Sequence, residues 1–347
     1  MEERIDLKSL LPEELEALLL SMGEPKYRAK QIFQWLHRGV AAFSEMSDLP
    51  KTLRAKLEER CFITVPKILR KQVSARDGTI KYLFGLADGN SIETVLMQYE
   101  HGNSVCVSTQ AGCKMGCVFC ASFDPEKSRD LRPSEILDEI LFAQKDSGRQ
   151  ISNIVLMGTG EPLDNYGNVM TFLRLVSHPM GINIGMRHIS LSTCGLVPMI
   201  RRLEEEKLQL TLSVSLHAPN DPLRSRLMPV NRAYPLEELI PACRHYFETT
   251  GRRISFEYAM IGGVNDTPEC ARQLIALLRG FSCHVNLIPL NHVPGSPLVP
   301  STREDLRRFQ NELLKHGLNA TVRRSLGGDI AASCGQLRRQ HKEEVDL

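Results

Sequence analysis

The sequence predicts an α/β protein: a partial barrel of six βα units, open on one side, with a small N-terminal helical domain and a β-hairpin extension. Three observations carry this. From about Ser104 onward, short β-rich runs alternate with helical stretches, the pattern of parallel βαβ units. Over residues 1–60, apolar positions recur at helical spacing. Between these regions, two β-rich runs flank Asp88-Gly89-Asn90, a turn sequence that favours a hairpin. The implied division is residues 1–72 as a helical accessory domain, 73–98 as the hairpin extension, and 99–340 as the barrel with a C-terminal cysteine loop.

In the first region Leu10, Leu11, Leu15, Leu18 and Leu19 share a helical period. Pro12 suits a first helical turn, and Glu13 and Glu14 sit well against the positive end of the helix dipole. A second helix is expected from Tyr27 to Arg38, after Glu24-Pro25. In the extension, KYLFGL and SIETVLM are the two strands. The barrel strands are SVCVST, NIVLMGT, RHISLST, LTLSVSL, RISFEYAM and CHVNLIPL. Each ends in polar, Gly, Pro or Cys residues, and in barrels of this kind chemistry gathers at the C-terminal strand ends. The last segment, ATVRRSLGGDIAASCGQL, adds a Gly-rich turn and a cysteine.

The 347 residues are 42% hydrophobic and 24% charged, with a net charge of +2, an ordinary globular balance. No apolar run approaches the ~20 residues of a membrane helix. The N-terminus has neither the basic start nor the apolar stretch of a signal peptide, so a cytoplasmic location is expected. Ten cysteines in that compartment are expected as thiols. Clustered ones then point to metal or catalysis rather than to disulfides.

One cluster stands out: Cys113, Cys117 and Cys120, just after the first barrel strand. Soft thiolates select zinc or iron–sulfur. A structural zinc site wants four ligands, and His101 or Cys106 could supply the fourth. Three thiolates in one loop instead suit a [4Fe–4S] cubane whose fourth iron stays open. The C-x3-C-x2-C spacing with Phe119 resembles the radical SAM superfamily, in which S-adenosylmethionine (SAM) chelates that iron through its amino and carboxylate groups. Gly158-Thr159-Gly160-Glu161-Pro162 follows the second barrel strand, where glycines admit a ligand to the backbone and Glu161 can hold a cationic amine. Ser192, Ser215-Leu216-His217 and Asn291 offer polar groups on the same rim.

Taken together, PKYRAKQIFQWLHRG, SIETVLM, VCVSTQAGCKMGCVFCA, NIVLMGTGEPLDN, HISLSTCGLVP, LSVSLHAPND, HVNLIPLN and GGDIAASCGQL resemble the RNA adenine C2-methyltransferases of that superfamily over nearly the whole chain. These act on 23S rRNA and, in many bacteria, on tRNA next to the anticodon. The resemblance implies that Cys113, Cys117 and Cys120 bind the cluster. It implies that Gly160, Glu161, Ser192, Ser215, Leu216, His217 and Asn291 contact SAM. Cys334 would be the thiol first methylated, Cys106 the second catalytic thiol, and Glu93 the proton acceptor. Cys61, Cys194, Cys243, Cys270 and Cys283 are read as core thiols. After the cluster motif the family carries a Gly-rich stretch with Leu and Arg; here ASFDPEKSRDL stands in its place.

Adenine C2 is an electron-poor carbon with no acidic proton, so ordinary methyl transfer has no nucleophile to use. The resemblance implies a two-SAM route. One SAM methylates Cys334. A second is reduced to a 5′-deoxyadenosyl radical, which activates that methyl group for addition to C2. A covalent protein–RNA intermediate follows, released by Cys106. An electron donor such as flavodoxin or ferredoxin is implied too. Lys26, Arg28, Lys30 and Arg38 mix with Tyr27, Phe33 and Trp35 on one helix. Its cations suit phosphates, whereas Phe33 and Trp35 are expected to face the domain core. Two rivals remain: an adenine C8-methyltransferase of the antibiotic-resistance type, against which Pro162 speaks, and a non-catalytic zinc protein that binds RNA.

Overall fold

A computed structural model describes residues 4–100, 102–291, 296–330 and 336–338. Three helices build the N-terminal region: α1 (Pro12–Ser21), α2 (Arg28–Leu36) and α3 (Lys51–Arg60). Pro12 opens α1, and Leu15 and Leu19 are its buried stripe. They share a core with Ile32, Phe33, Leu36, Leu53 and Leu57. Tyr27 and Lys30 stay exposed, while Trp35 is half-buried and its indole donates to Asp48 at 2.6 Å.

One sheet of ten strands dominates the rest. It runs β1 (Lys67–Val73), β2 (Ile80–Gly85), β3 (Ser91–Tyr99), β4 (Gly102–Cys106), β5 (Ile151–Leu156), β6 (Ile189–Thr193), β7 (Thr211–Ser215), β8 (Ile254–Met260), β9 (Cys283–Pro289) and β10 (Asn319–Val322), and its spatial order is the chain order. β1 to β4 pair antiparallel, and every later neighbour pairs parallel. Helices α4 (Pro133–Ser147), α5 (Tyr166–Ser177), α6 (Val197–Glu205), α7 (Asp221–Leu227), α8 (Leu236–Thr250), α9 (Pro268–Leu278) and α10 (Arg303–Lys315) fill the crossovers. A partial barrel results.

The six expected barrel runs are β4 to β9. Within this sheet two strands lie beyond the sequence reading. β10 adds a seventh parallel strand, four residues long. β1 makes the extension a three-stranded meander that starts at Lys67 rather than a hairpin from residue 73. β1 is an edge strand exposed along much of its length, so its sequence KILRKQV lacks an apolar/polar alternation. The turn at Asp88-Gly89-Asn90 joins β2 to β3, with Leu86 N bonded to Asn90 O at 2.8 Å.

The helical region is tied to the barrel by polar and apolar contacts. Lys8 and Asp138 of α4 form a buried ion pair, and Thr64 donates to the same carboxylate at 2.5 Å. Leu175 of α5 enters the helical core. No helix among the described residues is long and apolar enough to cross a membrane.

Candidate active site

The C-terminal ends of the parallel strands surround a cavity of about 360 Å³. Cys113, Cys117 and Cys120 line it from the loop after β4. That loop is pinned by Val118 N to Leu227 O at 3.0 Å and by Asp124 N to Cys113 O at 3.1 Å. Burial pushes the Cys113 thiol up to about 11, and the charge of Cys120 adds to the rise. Cys117 is driven up further, first by burial and then by Cys120 and Cys113. The three thiols thus oppose one another's ionisation, a penalty that cationic iron would relieve. No three His, Cys, Asp or Glu side chains among the described residues converge closely enough for a single metal ion.

Opposite lies the segment after β5. Gly160 has φ +110°, and a Cβ there would fall 2.7 Å from the backbone N of Gln110, so only glycine fits. Glu161 is buried and accepts from Cys194 N at 2.7 Å and Leu163 N at 3.1 Å. Burial raises its carboxyl above the usual range, and these bonds oppose the rise. Its surroundings would welcome a cationic amine, which restores the charge that burial disfavours.

Ser192, Ser215, His217 and Asn291 line the same cavity. His217 holds a left-handed φ of +55° and its Nδ1 accepts from Ala259 N at 2.9 Å. Burial lowers its pKa to about 3, so the ring is neutral with its proton on Nε2. Phe119 meets it edge-on at 4.7 Å. Leu216 differs from these residues. Its side chain is fully buried in the main core and only its backbone faces the strand end, donating to Glu257 O at 3.0 Å.

Cys106 also lines the cavity, directly opposite Val95 across the β3–β4 pair. Glu93 lies two residues from Val95 on the same face of β3. It pairs with Lys81 at 2.9 Å and accepts from Arg338 N at 2.7 Å. Arg338 also reaches Asp124, in the segment that departs from the family pattern, at 3.2 Å. Cys334 and His101 lie outside the described residues.

Several cavity residues escaped the sequence reading. Cys194 lines the site instead of serving only the core, and Glu257, Arg323 and Arg324 join it. Cys194, expected from HISLSTCGLVP as a core thiol, is buried and lines the cavity as well; its place at the end of a barrel strand is the signal in the sequence.

Comparison with known proteins agrees with the fold and shows the family. Residues 107–277 fit the radical SAM superfamily, and residues 5–63 fit the ribosomal RNA large subunit methyltransferase N-terminal domain. A probable dual-specificity RNA methyltransferase RlmN from Alkaliphilus oremlandii is 54% identical, covering 98% of this chain and 99% of the relative. The chain belongs to the RlmN family of radical SAM methyltransferases. A relative of the same name from Pelotomaculum thermopropionicum is 54% identical over 97% of this chain and 92% of its own. A crystal structure of a radical SAM methyltransferase from Sphaerobacter thermophilus superposes with a TM-score of 0.91 at 48% identity, covering 96% of this chain and 98% of that one. As an RlmN-family enzyme the protein uses a [4Fe–4S] cluster and SAM.

Proposed function

We propose that this enzyme methylates C2 of an adenine in 23S rRNA and of an adenine next to the anticodon in tRNA, working in the cytoplasm with a one-electron donor protein. The observation that carries the reading is the meeting of Cys106, the three-cysteine loop and the strand-end polar groups around one cavity.

When bound, the cluster on Cys113, Cys117 and Cys120 supplies one-electron reduction of SAM. Glu161 and the Gly160 backbone hold the methionine end of SAM, with Ser192, Ser215, His217, Asn291 and the Leu216 backbone completing its site. The apolar wall of Val95, Met97 and Phe119 keeps water from a reactive intermediate. Cys334 carries the methyl group to adenine. Glu93, held by Lys81, takes the C2 proton, and the adduct returns its unpaired electron to the one-electron carrier. The Cys106 thiolate then bonds to the Cys334 sulfur as the bond from that sulfur to the methylene carbon breaks; the electron pair left on that carbon takes up a proton to complete the methyl group, and a disulfide remains on the protein. The helical domain, with Lys26, Lys30 and Arg38 exposed, contributes phosphate contacts.

The test is anaerobic reaction of the reconstituted enzyme with SAM, reductant and unmodified 23S rRNA fragments or tRNA, followed by nucleoside mass spectrometry. The expected product from both RNAs is 2-methyladenosine. Formation of 8-methyladenosine would move the enzyme to the C8 class, and no methylated adenosine at all would overturn the proposal.

A further inference from the structure

Arg224 heads the fully buried side chains by size. Helix α7 carries it beneath the cysteine loop, three residues before the Leu227 carbonyl that pins Val118. Its guanidinium donates to Cys194 O at 2.7 Å, Ser215 O at 3.1 Å, Leu216 O at 3.2 Å and Asn231 Oδ1 at 2.8 Å. All four acceptors are neutral. The carboxylate on its own helix, Asp221, accepts instead from Asn231 Nδ2 at 2.8 Å and Leu236 N at 2.9 Å.

A cation taken out of water costs several kcal/mol, which carbonyl dipoles offset only in part. Burial accordingly lowers the guanidinium's pKa, and the opposing influences are led by the thiols of Cys194 and Cys117. One of these is a cluster ligand. The Asp221 carboxylate also acts on the guanidinium, with the Asn231 amide between them; three thiolates around an iron–sulfur core would add further negative charge, and net charge near a cluster sets its reduction potential.

We infer that Arg224 is the buried counter-cation of the cluster, a positioning residue that favours its reduced state. The inference rests on the cluster assignment above. Reduction adds one electron to the cluster, supplied by an external one-electron donor, and a fixed positive charge on the helix that packs against the cysteine loop through Leu223 and Leu227 stabilises that added charge. The same side chain clamps the ends of β6 and β7 next to Ser192, Ser215 and His217. Cys194 N in turn holds Glu161, so a single residue couples the electron-accepting and SAM-binding halves of the site.

The experiment compares wild type with Arg224→Lys, Arg224→Gln and Arg224→Met after anaerobic reconstitution. Iron is counted, and the cluster is titrated with dithionite and mediators while electron paramagnetic resonance reads the reduced form. Thermal unfolding of each apoprotein runs in parallel. The two uncharged variants are expected to lower the ratio of reduced to oxidised cluster at fixed potential at least about tenfold, which is about 59 mV for a one-electron couple. Arg224→Lys is expected to stay within about threefold of wild type, even if its apoprotein melts as early as the others. Cluster uptake by the lysine variant alone, with both uncharged variants empty, supports the same dependence on charge. If all proteins titrate alike, or all three variants fail together, Arg224 has only a structural role and the inference falls. Wild type that takes up no iron overturns the cluster assignment itself, a result separate from any difference among variants.

Discussion

Glu93 Oε2 and Lys81 Nζ lie 2.9 Å apart, with the two side chains 3% and 0% exposed. Leu83 stands directly opposite Glu93 in the β2–β3 register, so Lys81 meets it diagonally, two residues along the same face. Neither charge has water to fall back on. Lys81→Met should therefore strand a buried carboxylate and destabilise the protein by about 3 kcal/mol. The double variant Lys81→Met/Glu93→Gln should recover part of that loss, because the partners share one interaction. Urea unfolding of the three proteins checks this. A Lys81→Met midpoint equal to wild type would show that the pair holds nothing together.

Glu161 offers a binding prediction. Its two oxygens are held by Cys194 N and Leu163 N, so Glu161→Gln retains one acceptor while removing the charge available to an amine. SAM affinity of the reconstituted enzyme should drop at least about tenfold, near 1.4 kcal/mol, with iron content unchanged. Titration calorimetry under anaerobic conditions is the measurement. Undiminished affinity would remove Glu161 from the SAM site.

The barrel and its mouth were readable because their signals are local. A parallel strand buried on both faces appears as a compact β-rich run, and three cysteines within eight residues mark a loop without any knowledge of packing. Residues whose importance lies in what surrounds them left no such mark. Arg224 sits in an ordinary polar helix segment, DPLRSRL, and nothing in that string says the side chain is fully buried. Lys81 reads as the polar member of KYLFGL, yet the meander covers it completely. β10 is too short to show periodicity, and β1 is an edge strand whose apolar Ile68, Leu69 and Val73 are exposed. Leu216 stands between Ser215 and His217 in the sequence, yet its side chain packs into the main core while theirs line the cavity.

His37 predicts a pH dependence. The ring is stacked on Phe33 at 4.1 Å, and its Nδ1 accepts from Ile182 N at 3.3 Å. Burial, aided by His178 and Lys8, lowers its pKa from 6.5 to about 3. Between those values the unfolded chain binds the proton and the folded chain does not, so stability rises with pH across that window and is lost as pH falls. His217 acts in the same sense, while the raised carboxyls of Asp138, Glu139 and Glu161 act against it. The difference between wild type and His37→Asn isolates the one contribution. Unfolding free energies measured at pH 5 and pH 7.5 should show wild type losing about 2 kcal/mol more than the variant over that interval. Parallel losses would mean that His37 takes up its proton without disturbing the fold. Gly181 sets the approach: a Cβ there would lie 2.4 Å from His37 Nδ1, so Gly181→Ala should cost about 1–3 kcal/mol.

The two thiols proposed to act in turn give the sharpest chemical test. Cys106 lines the cavity opposite Val95, and the proposed scheme has it release RNA from Cys334. Cys106→Ala should then stop the reaction after addition to adenine, leaving RNA covalently attached to the protein. Cys334→Ala should give no adduct, because it has no methyl carrier to activate. If Cys106 were only a packed apolar thiol, its alanine variant would lose stability and form no adduct. Denaturing electrophoresis of each purified variant with and without ribonuclease, followed by peptide mass spectrometry, separates these outcomes. RNA attached at Cys334 in the Cys106 variant is the expected result. Methylated RNA made at the normal rate by the Cys334 variant would remove the cysteine relay from the mechanism, because the methyl group would then have reached C2 with no protein-bound carrier.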